Sequence, residues 1–244
     1  MPKPLKFCFV YFSYRYDAYL LGQSLRALRM LPRRLANKSN IFVYDDAQNA
    51  LPYAPNACRY NLTHFNRKGN LNGTECVDGM LFCMLEAARL SGADVVIKID
   101  SDIILNNLNW VKDFNPLQSH IGFQIQGQSH VSGCCYSLPA SALVRMLKAL
   151  KNEPISKDIP ESILMTRLSQ KIGLDKVLHV CDSSNEDLWR ASSIEKKEIE
   201  NGLSNHAYGL MRNLDVVLCE VIDGHDKNLN FNLMNQYLDK KYEK

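Results

Sequence analysis

The chain has 244 residues, 46% of them hydrophobic and 23% charged, which is ordinary globular composition with length enough for one large core. Its 29 basic and 26 acidic residues leave a formal net charge of +3, too balanced for a surface built to hold a phosphate backbone, so nucleic acid is not an expected partner. No stretch approaches the roughly 20 apolar residues that span a bilayer, and no signal-peptide core opens the sequence, so a cytoplasmic protein with its eight cysteines as reduced thiols is expected.

Residues 6–12 read as a buried strand and 17–30 as a helix, with Leu21, Leu25 and Leu28 at helical spacing and Pro32 closing it. Ile41-Phe42-Val43-Tyr44 makes a second strand that stops at Asp45-Asp46, and a polar, Asn-rich connection follows to about residue 73. Thr74 stands where it would cap a helix in which Val77, Met80, Leu81, Met84, Leu85 and Ala88 form one apolar stripe, with Gly92 at its end. Residues 94–99 are a strand running directly into Asp100-Ser101-Asp102. Beyond Pro116, strands are expected at 121–126, 131–137, 177–180 and 216–222, and helices start near Pro139 and Pro160, where a missing N–H costs nothing. Alternating strands and helices predict a single α/β domain over residues 1–244: a mostly parallel central sheet, mixed in its C-terminal half and flanked by helices.

Ligands of open α/β sheets bind beyond the C-terminal ends of the strands, and two strands here end in paired acids, Asp45-Asp46 and Asp100-x-Asp102. Carboxylates two residues apart at such a place offer hard oxygen ligands to Mg²⁺ or Mn²⁺ and leave coordination positions for a diphosphate. Such a metal acts as a Lewis acid toward a departing nucleotide diphosphate. With 16 Asp in the chain one D-x-D is expected by chance, so the preceding apolar strand and the second acidic pair carry the weight. The plainer readings are that Asp100 and Asp102 cap a turn, and that Asp45 and Asp46 form a solvated strand-end turn. On the functional reading, one carboxylate of the pair at 45 and 46 takes a hydrogen bond from a nucleobase or ribose.

In these residues the chain resembles the glycosyltransferases of the A-type fold, and its middle looks most like the β-1,3-galactosyltransferase and fringe group. The stretches that carry this are the helix from Thr74, Val95-Val96-Ile97-Lys98-Ile99-Asp100-Ser101-Asp102-Ile103, Ser132-Gly133-Cys134-Cys135-Tyr136-Ser137 and Pro160-Glu161-Ser162-Ile163; Asn70-Leu71-Asn72-Gly73 and the first two strands look more like the general family-two pattern. The resemblance covers most of residues 6–175. It implies a metal-dependent, inverting hexosyltransferase that moves a sugar from a nucleotide diphosphate donor, a UDP-hexose or UDP-N-acetylhexosamine, to a glycan or glycoconjugate hydroxyl. About 1–115 would hold the donor and about 116–244 the acceptor.

The resemblance also implies roles for single residues. Asp100 and Asp102 would hold the metal with His225 completing the set, although a lone histidine is also an ordinary surface residue. Asp45, Asp46, Lys68, Asp100, Ser101 and Gly133 would contact the donor; Gly133 would let backbone approach the sugar, or mark a β-bulge. Arg15 and Lys98 are further candidates for phosphates, and more ordinarily solvated charges. The base that takes the acceptor's proton would come from an acidic pair that here reads Glu161-Ser162, which leaves Glu161 as the candidate and Asp158 as the runner-up. Asp158-x-x-Glu161 is also a capping box. Trp189 is a candidate platform for the acceptor ring or a partly buried core residue.

Two rivals have different supports. A sugar nucleotidyltransferase wants a glycine-rich loop after the first strand, where this chain reads Ser13-Tyr14-Arg15-Tyr16-Asp17-Ala18. A nucleotide-sugar-binding protein that has lost its chemistry would look much like this one, Ser162 being such a loss. Arg26, Arg29, Arg33 and Arg34 at the end of the first helix are compatible with peripheral membrane contact and equally with the helix dipole.

Overall fold

In the computed structural model, which describes residues 3–63, 72–105, 107–112, 114–125, 129–181, 188–190, 218–220, 235, 238 and 239, the strand β1 (Phe7–Ser13) is buried at every position. Its alternate residues Phe7, Phe9 and Tyr11 pack with Leu21, Leu25 and Leu28 of helix α1 (Ala18–Met30). The intervening Cys8, Val10 and Phe12 pack on the opposite face with Val77, Met80 and Met84 of α2 (Thr74–Ser91). A strand covered on both faces needs a continuous apolar run, and FCFVYF supplies it.

Around β1 the sheet grows in both directions. On one side lie β2 (Ile41–Asp46) and then β3 (Arg59–Thr63), each parallel to its neighbour. On the other side β4 (Val95–Ile99) is parallel to β1, whereas β7 (Cys135–Pro139) runs antiparallel to β4. Outside it, β6 (Ser119–Ile125) is antiparallel to β7 and β8 (Asp175–Cys181) is parallel to β6. The order β3-β2-β1-β4-β7-β6-β8 therefore has β7 alone reversed, so the expected mostly parallel sheet, mixed in its later half, is what forms. The short strand β5 (Ile103–Leu105) leaves this sheet straight after β4 and joins β10 (Leu218–Glu220) and β9 (Leu188–Arg190) in a second sheet.

Helices α4 (Ala140–Leu150) and α5 (Glu161–Lys171) cover the same face as α2, and α3 (Asn109–Lys112) buries Trp110 and Val111 with the α1 core. Several expected details differ. Thr74 does not cap α2; Gly73, at φ 92°, is the N-cap, and the Thr74 hydroxyl donates to the Ser156 carbonyl at 3.3 Å. Gly92 does end that helix, in the left-handed conformation that a residue without Cβ adopts freely. The expected strand at 131–137 begins only at Cys135, and β3 lies inside what reads as a polar connection. Its Arg-Tyr-Asn-Leu-Thr sequence has only Thr63 fully buried, as an edge strand permits. The six described cysteine side chains are all buried, and among the described residues no helix is long and apolar enough to cross a membrane.

Candidate functional site

Because β1, β2 and β4 are parallel, their C-terminal ends emerge on one edge of the sheet, and the reversed β7 begins there. Ser13 pairs in register with Asp45, and the Asp100 amide donates to the Cys134 carbonyl at 2.9 Å. One edge thus gathers Ser13, Asp45, Asp46, Asp100, Ser101, Gly133 and Cys134, which lie far apart in sequence.

The D-x-D segment is the corner between β4 and β5. The Ile103 amide donates to the Asp100 carbonyl at 3.2 Å, closing a turn, and Ser101 is buried with its hydroxyl 3.5 Å from that of Ser13. The strand that follows is held by α1: the Ser24 hydroxyl donates to the Ile103 carbonyl and meets the Tyr11 hydroxyl at 2.9 Å. The turn that Asp sequences favour is therefore present, closed by a backbone hydrogen bond. Asp102 is half-buried, and the Asp100 side chain keeps 31% of its surface exposed.

The acids ending β2 divide their work by strand alternation. Asp46 faces the α2 side and is spent locally, accepting from the Gln48 amide at 2.9 Å and the Asn49 side-chain amide at 3.2 Å. Asp45 faces the α1 side, where Oδ2 accepts from the Leu51 amide and the Tyr60 hydroxyl, both at 2.6 Å. Its Oδ1 is buried with no hydrogen-bond partner among the described residues. Burial raises the Asp45 pKa above the ordinary carboxylate range, the Tyr60 and backbone hydrogen bonds working against that rise. Both acids are almost wholly buried, so the solvated strand-end turn does not describe them.

Lys98 departs furthest from its sequence reading as a solvated charge. It is 1% exposed, and its ammonium donates to Asp100 Oδ1 at 2.6 Å and to the Gly133 carbonyl, with the Tyr136 ring centroid 5.8 Å away. Burial pulls its pKa down, but the charges of Asp100 and Glu161 outweigh that and hold it above the usual lysine value. Glu161 completes the cluster. It is 5% exposed, accepts a hydrogen bond from the Tyr136 hydroxyl at Oε1, and presses Oε2 against Gly133, where an added Cβ would lie 2.7 Å away. Burial raises the Glu161 pKa, opposed by Lys98 and the Tyr136 hydrogen bond. The same burial and the neighbouring Glu161 charge push the Tyr136 phenol well up.

The capping box is not formed: α5 starts at Glu161 with Pro160 as N-cap and no side-chain cap, and the Glu161 carboxylate goes to Tyr136 instead. Asp158 is exposed on a loop stitched to the start of α2 by Gly73 N–H to Ile159 O and Thr74 N–H to Ser156 O, each 2.9 Å. Gly133 sits against a carboxylate just before β7. Arg15 is exposed, and Arg26 is paired with Asp239 at 2.9 Å. Lys68 and His225 lie outside the described residues, and for Trp189 only its backbone place in β9 is described. Sequence reasoning missed Tyr136 and the buried use of Lys98. The available signal was a single lysine inside Val95-Val96-Ile97-Lys98-Ile99, a strand otherwise apolar at every position.

Among the described residues no three His, Cys, Asp or Glu side chains are gathered into a metal-holding group. Asp100 and Asp102 alone fit a cation of another kind, one held by one or two carboxylates that takes its remaining ligands from water and phosphate oxygens, as Mg²⁺ commonly is. The partial exposure of Asp100 and its one Lys98-bound oxygen are consistent with that donor set.

No protein-family model matches the chain, and no curated protein matches it by sequence. Solved structures do match. The bifunctional glycosyltransferase WbbM is similar over 99% of this chain with a TM-score of 0.59 and 10% identity; the chain spans only about half, 51%, of that protein's length. A glycosyltransferase involved in glycosylation of the major capsid of PBCV-1 is similar over 95% of this chain and 99% of its own, at 0.56 and 10%. The galactosyltransferase LgtC, solved with donor and acceptor sugar analogues, is similar over 96% and 95%, at 0.50 and 10%. The fold is that of the A-type glycosyltransferases.

Proposed function

We propose that the chain is a glycosyltransferase that transfers a hexose or N-acetylhexosamine from a nucleotide diphosphate, most simply a UDP-sugar, to a hydroxyl of a glycan or glycoconjugate. One observation carries the reading: in an A-type fold, parallel strands bring Asp45, Asp100, Ser101 and Asp102 to the same sheet edge, where open α/β sheets hold their ligands. The buried, unpartnered Oδ1 of Asp45 supports it, since an N–H or O–H from a nucleoside would meet an acceptor that otherwise lacks a donor.

In this reading Asp100 and Asp102 hold Mn²⁺ or Mg²⁺, with His225 as a further ligand. When bound, the metal neutralises charge on the leaving diphosphate. Ser13, Ser101 and Gly133 shape the donor pocket, Lys68 contacts phosphate, and Trp189 supports the acceptor ring. Attack opposite the leaving group needs a carboxylate to take the acceptor proton. Asp158 is exposed and Glu161 is not, so we assign proton removal to Asp158. The subgroup likeness to β-1,3-galactosyltransferases and fringe rests on the motifs around Asp100, Gly133 and Glu161.

The test is thermal denaturation of the full chain with UDP, GDP, ADP and CDP, each with and without Mn²⁺. A nucleotide at about 100 times its Kd stabilises by about 2.7 kcal/mol, which for a chain of this size raises Tm by about 5–10 °C. Such a shift, seen only with metal and lost in Asp102→Ala, is the expected result; no shift with any of the four rejects the reading. A nucleotide-binding protein without chemistry would give the shift and no turnover.

A further inference from the structure

We infer that Glu161 is a positioning residue, the counter-charge that lets Asp100 serve a bound cation while Lys98 stays in place, and not the base that accepts the acceptor's proton. The inference rests on the donor-site reading above and concerns the acid that sequence resemblance singles out for proton removal.

Lys98 is buried, and its ammonium meets Asp100 Oδ1, the Gly133 carbonyl and the face of Tyr136. A buried ammonium left without a partner is strongly unfavourable. Asp100 is the member of the cluster that reaches solvent, and a cation with its diphosphate would draw charge from that carboxylate. The ammonium then needs a second negative charge that does not move. Glu161 supplies it from the first turn of α5, where its Oε1 takes the Tyr136 hydroxyl and its Oε2 occupies the space left by the missing side chain of Gly133. Register fixes the arrangement: Lys98 and Tyr136 are cross-strand partners in β4 and β7, and the Asp100 amide is bonded to Cys134 in the same ladder. Lys98 in turn ties down Oδ1 of Asp100 and so limits how that carboxylate can turn toward a ligand. An acceptor hydroxyl, by contrast, meets a Glu161 that is 5% exposed, with Oε1 bonded to the Tyr136 hydroxyl and Oε2 set against Gly133.

The experiment uses the full chain and its Glu161→Gln and Tyr136→Phe variants, titrated calorimetrically with UDP, GDP, ADP and CDP in the presence of Mn²⁺. Transfer and acceptor-independent hydrolysis of the corresponding UDP-, GDP-, ADP- and CDP-sugars are assayed alongside. Positioning predicts that both variants weaken metal-dependent nucleotide binding about tenfold or more, and that hydrolysis and transfer fall by similar factors. Tyr136→Phe keeps the carboxylate and loses only its hydrogen bond, so it answers the question even if Glu161→Gln folds poorly. Wild-type nucleotide affinity and hydrolysis in both variants overturns the inference alone, whether transfer falls 100-fold or more, as for a lost base, or only Tm falls, as for a merely structural group. A wild-type chain that binds none of the four nucleotides overturns the donor-site reading and the inference with it.

Discussion

Three buried titratable side chains show how position, not residue type, sets behaviour. Asp45 and Asp46 are adjacent, yet one ends with a hydrogen-bonded turn and the other with an unpartnered oxygen, because neighbouring residues on a strand face opposite sides of the sheet. His120, in β6, is fully buried, with Nδ1 bonded to the Ser169 hydroxyl at 2.9 Å and its ring edge-on to Tyr136. Burial, helped by the Lys176 charge, lowers its pKa to about 3. The folded state therefore keeps His120 neutral at pH values where the unfolded chain, titrating near the ordinary ~6.5, takes up a proton. The stability this contributes is present above that value and is lost as pH falls toward 3, about 2 kcal/mol of it by pH 5. Urea unfolding at pH 7.5 and pH 5 should show that loss in the wild type and a smaller one in His120→Asn. An equal loss in both would mean that His120 is not the group responsible. Continuous apolar runs made the central strands legible at this scale, whereas Tyr60, a partner of Asp45, sits in a strand too polar to be recognised.

The elements around the candidate site are held by contacts between distant segments. Residues 156–160 are laced to the start of α2 through Gly73, whose φ of 92° is unfavourable for any residue with a side chain. A Cβ there would also lie 3.0 Å from the Ser156 carbonyl and 3.2 Å from Lys157 Cα, both backbone atoms with little freedom to yield. Gly73→Ala should cost about 1–3 kcal/mol, read from denaturant midpoints, and should loosen the loop bearing Asp158. A neutral effect would show that the lacing is not a determinant of stability. Helix α2 itself was evident from its apolar stripe, since a strong 3.6-residue period survives without knowing the fold. Its N-cap was not, because Thr74 is a good capping residue by type and is displaced only by its bond to Ser156, 82 positions away.

At the scale of the whole molecule, the sheet joins strands from Phe7 to Cys181 into one surface, with β7 reversed so that Gly133 enters the edge where β1, β2 and β4 finish. On the proposed function, acceptor activation depends on this union, and Asp158→Asn tests it: transfer should fall at least 100-fold, the usual contribution of a general base, with metal-dependent nucleotide binding and donor hydrolysis retained. Equal loss of all three would assign Asp158 to donor binding or folding instead. The strand-end places of the acids at 45, 46, 100 and 102, the central strands, the helices near 74 and 160 and the α/β class were determined by sequence alone. Apolar periodicity and strand-end position are local properties, and they are enough for that much. Tertiary structure alone decided which of those acids keeps an oxygen unpaired, that Lys98 is buried beneath Asp100, and that Glu161 faces Tyr136 and Gly133 in place of solvent. Each of these depends on which strand lies beside β4 and in what register, and a pairing across nearly forty residues leaves no period in the sequence from which to read it.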